Sequence, residues 1–414
     1  MSWLKFILSL CYLYLAGTVF FDWMHFLLHR WSRSQWRFLR LLSRYHQYHH
    51  LYYGRLLQFN PKYTRQNTRI ALPLELLCQM LGNVVGWLVA WTIMMGRTEC
   101  IDRRALLIVL VIQAGRSLVV ILNDGKDSNH ISYDTVPKDW SWSFVGPEYH
   151  ALHHRYPDRY MGSAIKLFDW VAGTAYSLRG KVVVMTGGSG EFGQAIEKQL
   201  LAEGVRSIHK PVIGKSWTRQ AATRLMPMLD QADILILANC TGGMEDMESD
   251  CTLTIRLIQQ FLAQKAAQKG KVLPEIWYIS SEAECLTRGA TERGQESVPT
   301  EQSFLPYARS LYRSSELVYR HIVPSLWKTS TGRTVISPEK IVRAMLWWVR
   351  RGAYFVPVTY TGIAYLQFLA FQFGAAADVD WSYESVVDLE WAYCTGGKRA
   401  WHDLPGGLER VRTM

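Results

Sequence analysis

The sequence lacks any pair of cysteines at the spacing of a zinc site. Its seven cysteines stand far apart, and none belongs to a C-x-x-C motif. They are Cys11, Cys78, Cys100, Cys240, Cys251, Cys285 and Cys394. An odd and scattered set is typical of free thiols in a reducing compartment. The pattern therefore excludes a disulfide framework and a zinc knuckle.

Two metal-binding motifs are also missing, and neither internal repeats nor low-complexity linkers occur. The chain has no H-E-x-x-H motif, which excludes a zinc protease of that type. It has no E-x-x-H spacing either, which excludes the carboxylate ligand set of a ferritin-like di-iron bundle.

Composition indicates two domains of different kinds. The chain has 414 residues, more than one average domain, and combines 49% hydrophobic with 20% charged residues. A membrane half joined to a soluble half would have this mixture. The net charge of +11 is compatible with nucleic-acid binding, but Lys and Arg cluster between apolar segments, as at a cytoplasmic membrane face. We therefore expect an integral membrane protein with no nucleic-acid partner.

Three apolar runs are long enough to cross a hydrocarbon layer of about 30 Å. They cover residues 4–21, 72–95 and 105–122, and a short loop joins the second to the third. A cleaved signal peptide is the alternative for the first run. Glu75 and Arg116 interrupt the other two, so each either borders a cavity inside the bundle or reaches the membrane surface.

The segment between the first and second runs is strongly basic. Its only acidic residue is Asp22, against nine Lys and Arg. The nine are Arg30, Arg33, Arg37, Arg40, Arg44, Arg55, Lys62, Arg65 and Arg69. The positive-inside rule predicts that this segment is cytoplasmic. Because the next two runs form a hairpin, the chain after residue 122 is predicted to be cytoplasmic as well.

Nine of the twelve histidines fall before Arg155, all on this predicted cytoplasmic side, and eight of them form three clusters. The clusters are His25 and His29; His46, His49 and His50; and His150, His153 and His154, while His130 stands alone. Residues three and four apart share one face of a helix, so each cluster points its imidazoles at one spot. Neutral imidazole is a ligand for iron, zinc, copper and nickel. Eight convergent imidazoles exceed what one ion accepts, which predicts two metals.

The order of these clusters around a membrane hairpin resembles the fatty acid hydroxylase and sterol desaturase superfamily. The stretch VGPEYHALHHRYPDRYMGSAIKLFDWVAGTAY is similar to the last histidine box of that family and the tail after it. The resemblance covers roughly the first 175 residues. It implies an α-helical membrane domain with two iron ions, which use O2 to hydroxylate or desaturate an acyl chain, sterol or carotenoid. Substrate would enter from the bilayer, and a soluble donor protein would supply electrons.

The resemblance also implies which residues bind the metals. The implied ligands are His25, His29, His46, His49, His50, His150, His153 and His154. His130 is either a ninth ligand or a polar or capping residue beside the site. Asp22, Asn129 and Asp169 are candidates to orient the imidazoles, because a ligating histidine usually donates its other N–H to an acceptor. Iron and zinc stay open, since a histidine-only set accepts zinc readily.

A Rossmann-like α/β domain is predicted to begin near residue 179. The stretch RGKVVVMTGGSGEFGQAIEKQL combines a β-branched run, a glycine-rich turn and a helical pattern. Gly187, Gly190 and Gly193 have the spacing G-x-x-G-x-x-G in the strand–turn–helix context that a dinucleotide fingerprint requires. The pyrophosphate of NAD(P)H would lie at the N-terminus of the helix.

Three later segments resemble short-chain dehydrogenases. They are ADILILANCTGG, EIWYISSEAE and FLPYARSLYRSSELVYR. The resemblance assigns nucleotide binding to Asn239 in the first segment. It assigns catalysis to Ser281 in the second and Tyr307 in the third. The family's Tyr-x-x-x-Lys motif is not matched, because Leu311 follows Tyr307 at that spacing and Glu316 follows the alternative Tyr312. The lysine lowers the pKa of the tyrosine, so its loss favours a degenerate domain as much as an active reductase.

Two further departures concern the nucleotide itself. Residues 193–239 are too short for the usual two βα units. No acidic residue clearly ends a second strand to bind a ribose hydroxyl, and Lys210 could bind a phosphate instead, which leaves NAD and NADP open.

The domain boundaries are predicted at residues 1–178, 179–350 and 351–414. The last segment contains the apolar run 354–376, which favours membrane association as a span or a surface helix. As a whole the chain resembles cyanobacterial proteins in which a sterol desaturase-like domain is fused to a short-chain dehydrogenase. The leading hypothesis is a membrane di-iron lipid oxygenase. The alternatives are a membrane-anchored NAD(P)-dependent reductase and a degenerate scaffold.

Overall fold

The first domain is built on three long apolar helices. The computed structural model describes residues 3–93, 101–211, 219–238, 247–268, 272–280, 300–325 and 336–374. The long helices are α1 (Trp3–Arg30), α3 (Leu72–Ile93) and α4 (Arg103–Leu122), with the shorter α2 (Arg37–Tyr53) between α1 and α3. Each long helix is apolar and long enough to cross a membrane.

The outer faces of these helices are apolar as well. Leu77, Leu107 and Val119 are 62%, 64% and 66% exposed to solvent. Soluble monomers rarely expose continuous apolar surface of this extent, whereas a bilayer covers it. The three helices therefore match the three predicted spans, and their sidedness stays a prediction.

Small residues allow α1 and α3 to approach closely. A Cβ atom on Gly82 would lie 2.6 Å from Cβ of Phe20, and one on Gly86 would lie 2.5 Å from Cβ of Ala16. Glycine at such a crossing lets two backbones pack together inside a membrane. Asn83 of α3 also donates a hydrogen bond to Gln113 of α4 (2.8 Å). These contacts hold the three helices at fixed positions relative to one another.

The second domain has a six-stranded parallel sheet. Its strands are β1 (Val182–Thr186), β2 (Ser207–His209), β3 (Ile234–Leu237), β4 (Glu275–Ile279), β5 (Val318–Pro324) and β6 (Phe355–Val358). The strand order is β2-β1-β3-β4-β5-β6, which is the doubly wound pattern of Rossmann-like folds with one strand fewer beyond β1. The missing strand agrees with the prediction that residues 193–239 are too short for two βα units, because one such unit fits there.

Helices cover both faces of the sheet. They are α7 (Glu191–Ala202), α8 (Arg219–Gln231), α9 (Met247–Ala267), α10 (Thr300–Arg313), α11 (Pro338–Val349) and α12 (Ile363–Phe373), after the short α5 (Pro147–Arg155) and α6 (Leu167–Ala172) of the first domain. One core cluster joins the sheet to α7 and α11, and a second joins it to α8, α9, α10 and α12. The strands β1, β3 and β6 are apolar and buried on both faces, as is typical of a parallel sheet covered by helices.

The apolar run predicted from residue 354 belongs largely to this second domain. Phe355–Val358 form β6, which pairs with β5 inside the sheet, and the following α12 buries Ala364 and Phe371 against the same core. The predicted boundary at residue 350 is therefore wrong. A buried parallel strand is as apolar as part of a membrane span, so composition did not separate them. At 11 residues, α12 is too short to cross a bilayer.

The two domains meet at the edge of the sheet where the strands begin. Tyr354, directly before β6, donates a hydrogen bond to the backbone carbonyl of Asp139 (2.8 Å). Lys138 donates to the carbonyl of Tyr312 (2.6 Å), which precedes β5. The segment that joins the domains runs straight into the start of β1. The opposite edge, where the strands end, therefore faces away from these contacts.

Candidate functional site

All nine predicted histidines meet in one place. His25 and His29 lie one turn apart near the end of α1, and His46, His49 and His50 lie on α2. The remaining four come from α5 and the loop before it. Their ring nitrogens form two groups, within each of which they lie within 4.8 Å of one another. The first group is His25, His29, His46, His50 and His153; the second is His49, His130, His150 and His154.

Adjacent Nε2 atoms in the first group face one another. The Nε2 of His29 lies 3.1 Å from that of His46, 3.1 Å from that of His50 and 3.3 Å from that of His25. The Nε2 of His153 lies 3.3 Å from that of His50. Imidazoles bound to one metal at about 2.0–2.1 Å place neighbouring nitrogens about 3 Å apart. The spacing therefore fits a shared metal ion.

The second group has the same arrangement and includes His130. Its Nε2 lies 3.1 Å from that of His49 and 2.9 Å from that of His150, and its ring stacks on Tyr53 at 3.5 Å. The Nε2 of His154 is buried and has no hydrogen-bond partner. A buried nitrogen in this position fits a metal ligand. Of the two alternatives for His130, the geometry favours the ligand.

Backbone carbonyls fix the orientation of several rings. The Nδ1 atoms of His25, His153 and His154 donate to the carbonyls of Met161 (3.3 Å), Arg159 (2.8 Å) and Gly54 (3.1 Å). A carbonyl only accepts, so Nδ1 must carry the proton and Nε2 the lone pair. These three rings are thereby prepared to bind a metal through Nε2.

One carboxylate has the same effect on another ring, and a second carboxylate lies close to two more. Asp127 Oδ1 accepts from Nδ1 of His130 (2.5 Å). Glu75 Oε1 lies 3.2 Å from Nδ1 of both His46 and His49, a close approach without hydrogen-bond geometry to either ring. Of the two predictions for Glu75, the structure favours the one that places it beside the site. Arg116 is exposed on α4. Asp127 was not predicted, although its position three residues before His130 in DSNH is a signal in the sequence.

The carboxylates that were predicted to orient imidazoles act elsewhere, which corrects that prediction. Asp22 accepts hydrogen bonds from the backbone and side chain of Ser163 (2.9 and 2.6 Å). Asp169 accepts from the backbone of Met161 (2.9 Å), whose own carbonyl accepts from a histidine. Both carboxylates therefore bind the loop that contains Met161 and Ser163, and neither accepts a hydrogen bond from a histidine ring among the described residues. For Asn129, the contact found is a backbone hydrogen bond to Asp127 (2.9 Å).

Six of the imidazoles outside the membrane helices are held neutral. Burial, and then the neighbouring histidines, hold the pKa of His46, His49, His50, His153 and His154 well below the usual range. Burial and His130 lower the pKa of His150 to about 3. Neutral rings with inward lone pairs are what a divalent metal requires. The residues present therefore fit two histidine-bound metal ions.

The glycine-rich turn has the geometry of a phosphate cradle. Gly187 has φ +67°, which favours glycine, and it directly follows β1. A Cβ on Gly193 would lie 2.5 Å from the carbonyl oxygen of Gly187, so only glycine lets α7 pack this closely on the turn. Gly190 is the N-cap of α7. Lys210 packs beside Gly188 and forms an ion pair with Glu197 (2.6 Å).

The structure describes only part of the predicted dehydrogenase site. Ser281 and Asn239 lie outside the described residues. Tyr307 lies on α10 with 6% of its surface exposed, packed in the core against Phe304, and burial raises its pKa. Leu311, four residues on, is fully buried in the same core. The arrangement supports a nucleotide cradle more clearly than it supports a tyrosine acid, and the catalytic role of Tyr307 stays a prediction.

Fold and site together define an apolar helical domain with a two-metal histidine geometry, followed by a Rossmann-like domain. No family model matches the chain. A monoglucosyldiacylglycerol epimerase from Synechocystis sp. is 29% identical over 176 residues, which cover 36% of this chain and 42% of that protein. The chain thus matches less than half of the relative's length. The likeness to the fatty acid hydroxylase and sterol desaturase superfamily stays a prediction.

Solved short-chain dehydrogenases resemble the second domain weakly. One from Burkholderia cenocepacia in complex with NADP is 14% identical, with a TM-score of 0.37, and covers 47% of this chain and 95% of its own. One from Leptospira borgpetersenii with bound NAD+ is also 14% identical, with a TM-score of 0.35. That match covers 45% of this chain and 93% of the dehydrogenase. The Rossmann-like assignment rests on the sheet topology.

Proposed function

We propose that this protein is a membrane-bound oxidoreductase that modifies a lipid at a two-metal histidine centre. The observation that carries the proposal is the convergence of nine imidazoles into two groups, five in one and four in the other. The groups lie at the end of helix α1, one of three helices long enough to cross a membrane. A site in this position can receive an apolar substrate directly from the bilayer.

The first group would hold one metal and the second group the other. Two bound iron ions would supply the activation of O2 that oxidation of an unactivated C–H bond requires. The chain itself orients the rings through Nδ1 and keeps them neutral. The carbonyls of Met161, Arg159 and Gly54 and the carboxylate of Asp127 provide the acceptors. Acyl chains, sterols, carotenoids and glycosylated diacylglycerols are candidate substrates, and a soluble donor would deliver electrons on the cytoplasmic side.

A second candidate function is favoured by the relative from Synechocystis. Its name describes an epimerase of a glucosylated diacylglycerol, and part of this chain is similar to it. Under this alternative, the Rossmann-like domain would bind NAD(P) at the glycine-rich turn and act on a sugar headgroup. The cradle at Gly187 and Gly193 supports the nucleotide part of this alternative.

Lipid analysis separates the two candidates. Lipids from cells that express the wild-type protein would be compared with those from cells that express a His49→Ala, His153→Ala variant, which removes one ligand from each group. A product with one added oxygen or with two hydrogens fewer, absent in the variant, supports the oxygenase. A product of unchanged mass with an altered sugar, also formed by the variant, supports the epimerase and contradicts the leading proposal.

A further inference from the structure

Helix α3 carries one carboxylate, Glu75, within its apolar sequence. Its side chain is only 13% exposed, and α3 packs against α2. A carboxylate inside a membrane helix is unfavourable unless it has a partner, and such residues usually serve a function. The partners of Glu75 therefore indicate what it does.

Those partners are two imidazoles from different metal groups. Glu75 Oε1 lies 3.2 Å from Nδ1 of His46 and 3.2 Å from Nδ1 of His49. His46 belongs to the first group and His49 to the second. The two residues are three apart on α2, and their rings stack at 5.6 Å with an angle of 18° between the planes. Neither approach has hydrogen-bond geometry, so one buried oxygen lies beside two buried nitrogens that lack hydrogen-bond partners within the described part of the chain.

We infer that Glu75 is a positioning residue shared by the two metal sites, an inference that rests on the proposed two-metal centre. Its carboxylate oxygen lies beside Nδ1 of both rings, and small shifts of the rings on metal binding would turn each Nδ1–H towards it. Nε2 of His46 is then left for one metal and Nε2 of His49 for the other. Asp127 differs, because its contact is with His130 and therefore with the second group alone.

A π-helical turn aims Glu75 at the site. Asn67–Ala71 form this turn directly before α3, and α2 packs against the turn as well as against α3. A π turn contains one residue more than an α turn, which rotates everything after it by about 100°. Such turns occur frequently at functional sites, which agrees with this placement.

The test of this inference is whether one substitution, Glu75→Gln, changes the binding of both metal ions or of only one. The full chain, purified in detergent and stripped of metal, would be titrated with isotopically enriched ferrous iron. Iron per chain, apparent affinity and Mössbauer spectra would be recorded for wild type, Glu75→Gln and Asp127→Asn. Asn83→Ala is the control for helix packing, because Asn83 lies on the same helix and contacts Gln113 rather than an imidazole.

We expect Glu75→Gln to weaken the binding of both irons by about 10–100-fold and to change both Mössbauer components. Asp127→Asn should affect one component, Asn83→Ala should affect neither, and Glu75→Asp should recover part of the affinity because it keeps a carboxyl group. A wild-type protein with two irons, together with a Glu75→Gln variant in which one or no component changes, overturns the inference alone. A wild-type protein that binds no iron overturns the proposed function and the inference with it.

Discussion

At the scale of single residues, His130 shows how a ligand can stand alone in the sequence. It lies on a loop between α4 and α5, where helical spacing does not apply, so the pattern that identified the other eight left two alternatives for it. Asp127 resolves them: its carboxylate lies against Nδ1 of His130, and the ring then faces His49 and His150. Loop residues that meet only in three dimensions leave little trace in a pattern search.

Replacing His130 with alanine should remove one of two metals. The second group would keep three imidazoles, His49, His150 and His154, and would lose the side chain that lies between two of them. We expect metal content to fall from about two to about one per chain, as measured by elemental analysis. His209→Ala is the control, because His209 lies on β2. Two metals retained in His130→Ala would show that His130 is not a ligand.

At the scale of structural elements, the start of β4 is held by a buried cluster of charges. Glu275 forms ion pairs with Arg320 (2.5 Å) and Lys181 (3.1 Å) and also accepts from Trp277 (2.7 Å) and Tyr176. Burial alone would raise the pKa of Glu275. The charges of Lys181 and Arg320 outweigh this effect and lower the pKa to about 2. Tyr176 belongs to the segment that joins the domains. The cluster therefore ties this segment to the sheet.

Replacing Glu275 with glutamine should destabilise the protein, because it leaves two buried cations without a carboxylate. We expect a loss of about 3–5 kcal/mol in unfolding free energy at neutral pH, measured by denaturant unfolding in detergent. The folded-state pKa of about 2 lies below the ordinary glutamate value of 4.5, so the carboxylate stabilises the fold above pH 4.5. That contribution disappears as the pH falls towards 2.

The pH dependence separates this effect from a packing defect. Wild type and Glu275→Gln should converge in stability as the pH falls below 4.5, whereas a packing defect would persist at every pH. Glu339→Gln, an exposed position on α11, is the control and should match wild type. A Glu275→Gln variant as stable as wild type at neutral pH would contradict this account of the cluster.

The glycine-rich turn was predictable as an element, because the spacing of its glycines follows from the backbone conformations that the turn requires. Gly193→Val should weaken nucleotide binding, since its Cβ would lie 2.5 Å from the carbonyl oxygen of Gly187. Lys198→Ala is the control, because Lys198 is exposed further along the same helix. Quenching or enhancement of NADPH fluorescence should show at least a roughly tenfold weaker affinity in Gly193→Val and nearly unchanged affinity in Lys198→Ala. Equal affinity in the two variants would contradict a nucleotide cradle here.

At the scale of the whole molecule, the histidine cluster and the glycine-rich turn lie towards opposite ends of the sheet strands. The first domain contacts the edge where the strands begin, while the glycine-rich turn follows the end of β1. The strand β1 alone spans about 13 Å. Hydride transfer requires contact between the reacting atoms, so a nucleotide at the turn does not reach the metal centre in this arrangement. Each site would therefore act separately.

The sequence predicted both kinds of domain but not their arrangement. Histidine spacing, the first three apolar runs and a strand–glycine–helix pattern each follow from local geometry, and the structure contains the corresponding elements. The contribution of Phe355–Val358 to the sheet, the shared position of Glu75 and the contact edge between the domains depend on packing between distant segments. No local pattern records such contacts, so they became visible only in three dimensions.

The most direct test of the account is the metal content of the full chain purified in detergent. Elemental analysis would compare wild type with the His49→Ala, His153→Ala variant, which takes one imidazole from each group, and with His209→Ala as control. The account predicts about two metal ions per chain in wild type and in His209→Ala, and a loss of both in the double variant. Wild-type protein with no more metal than the double variant would contradict it.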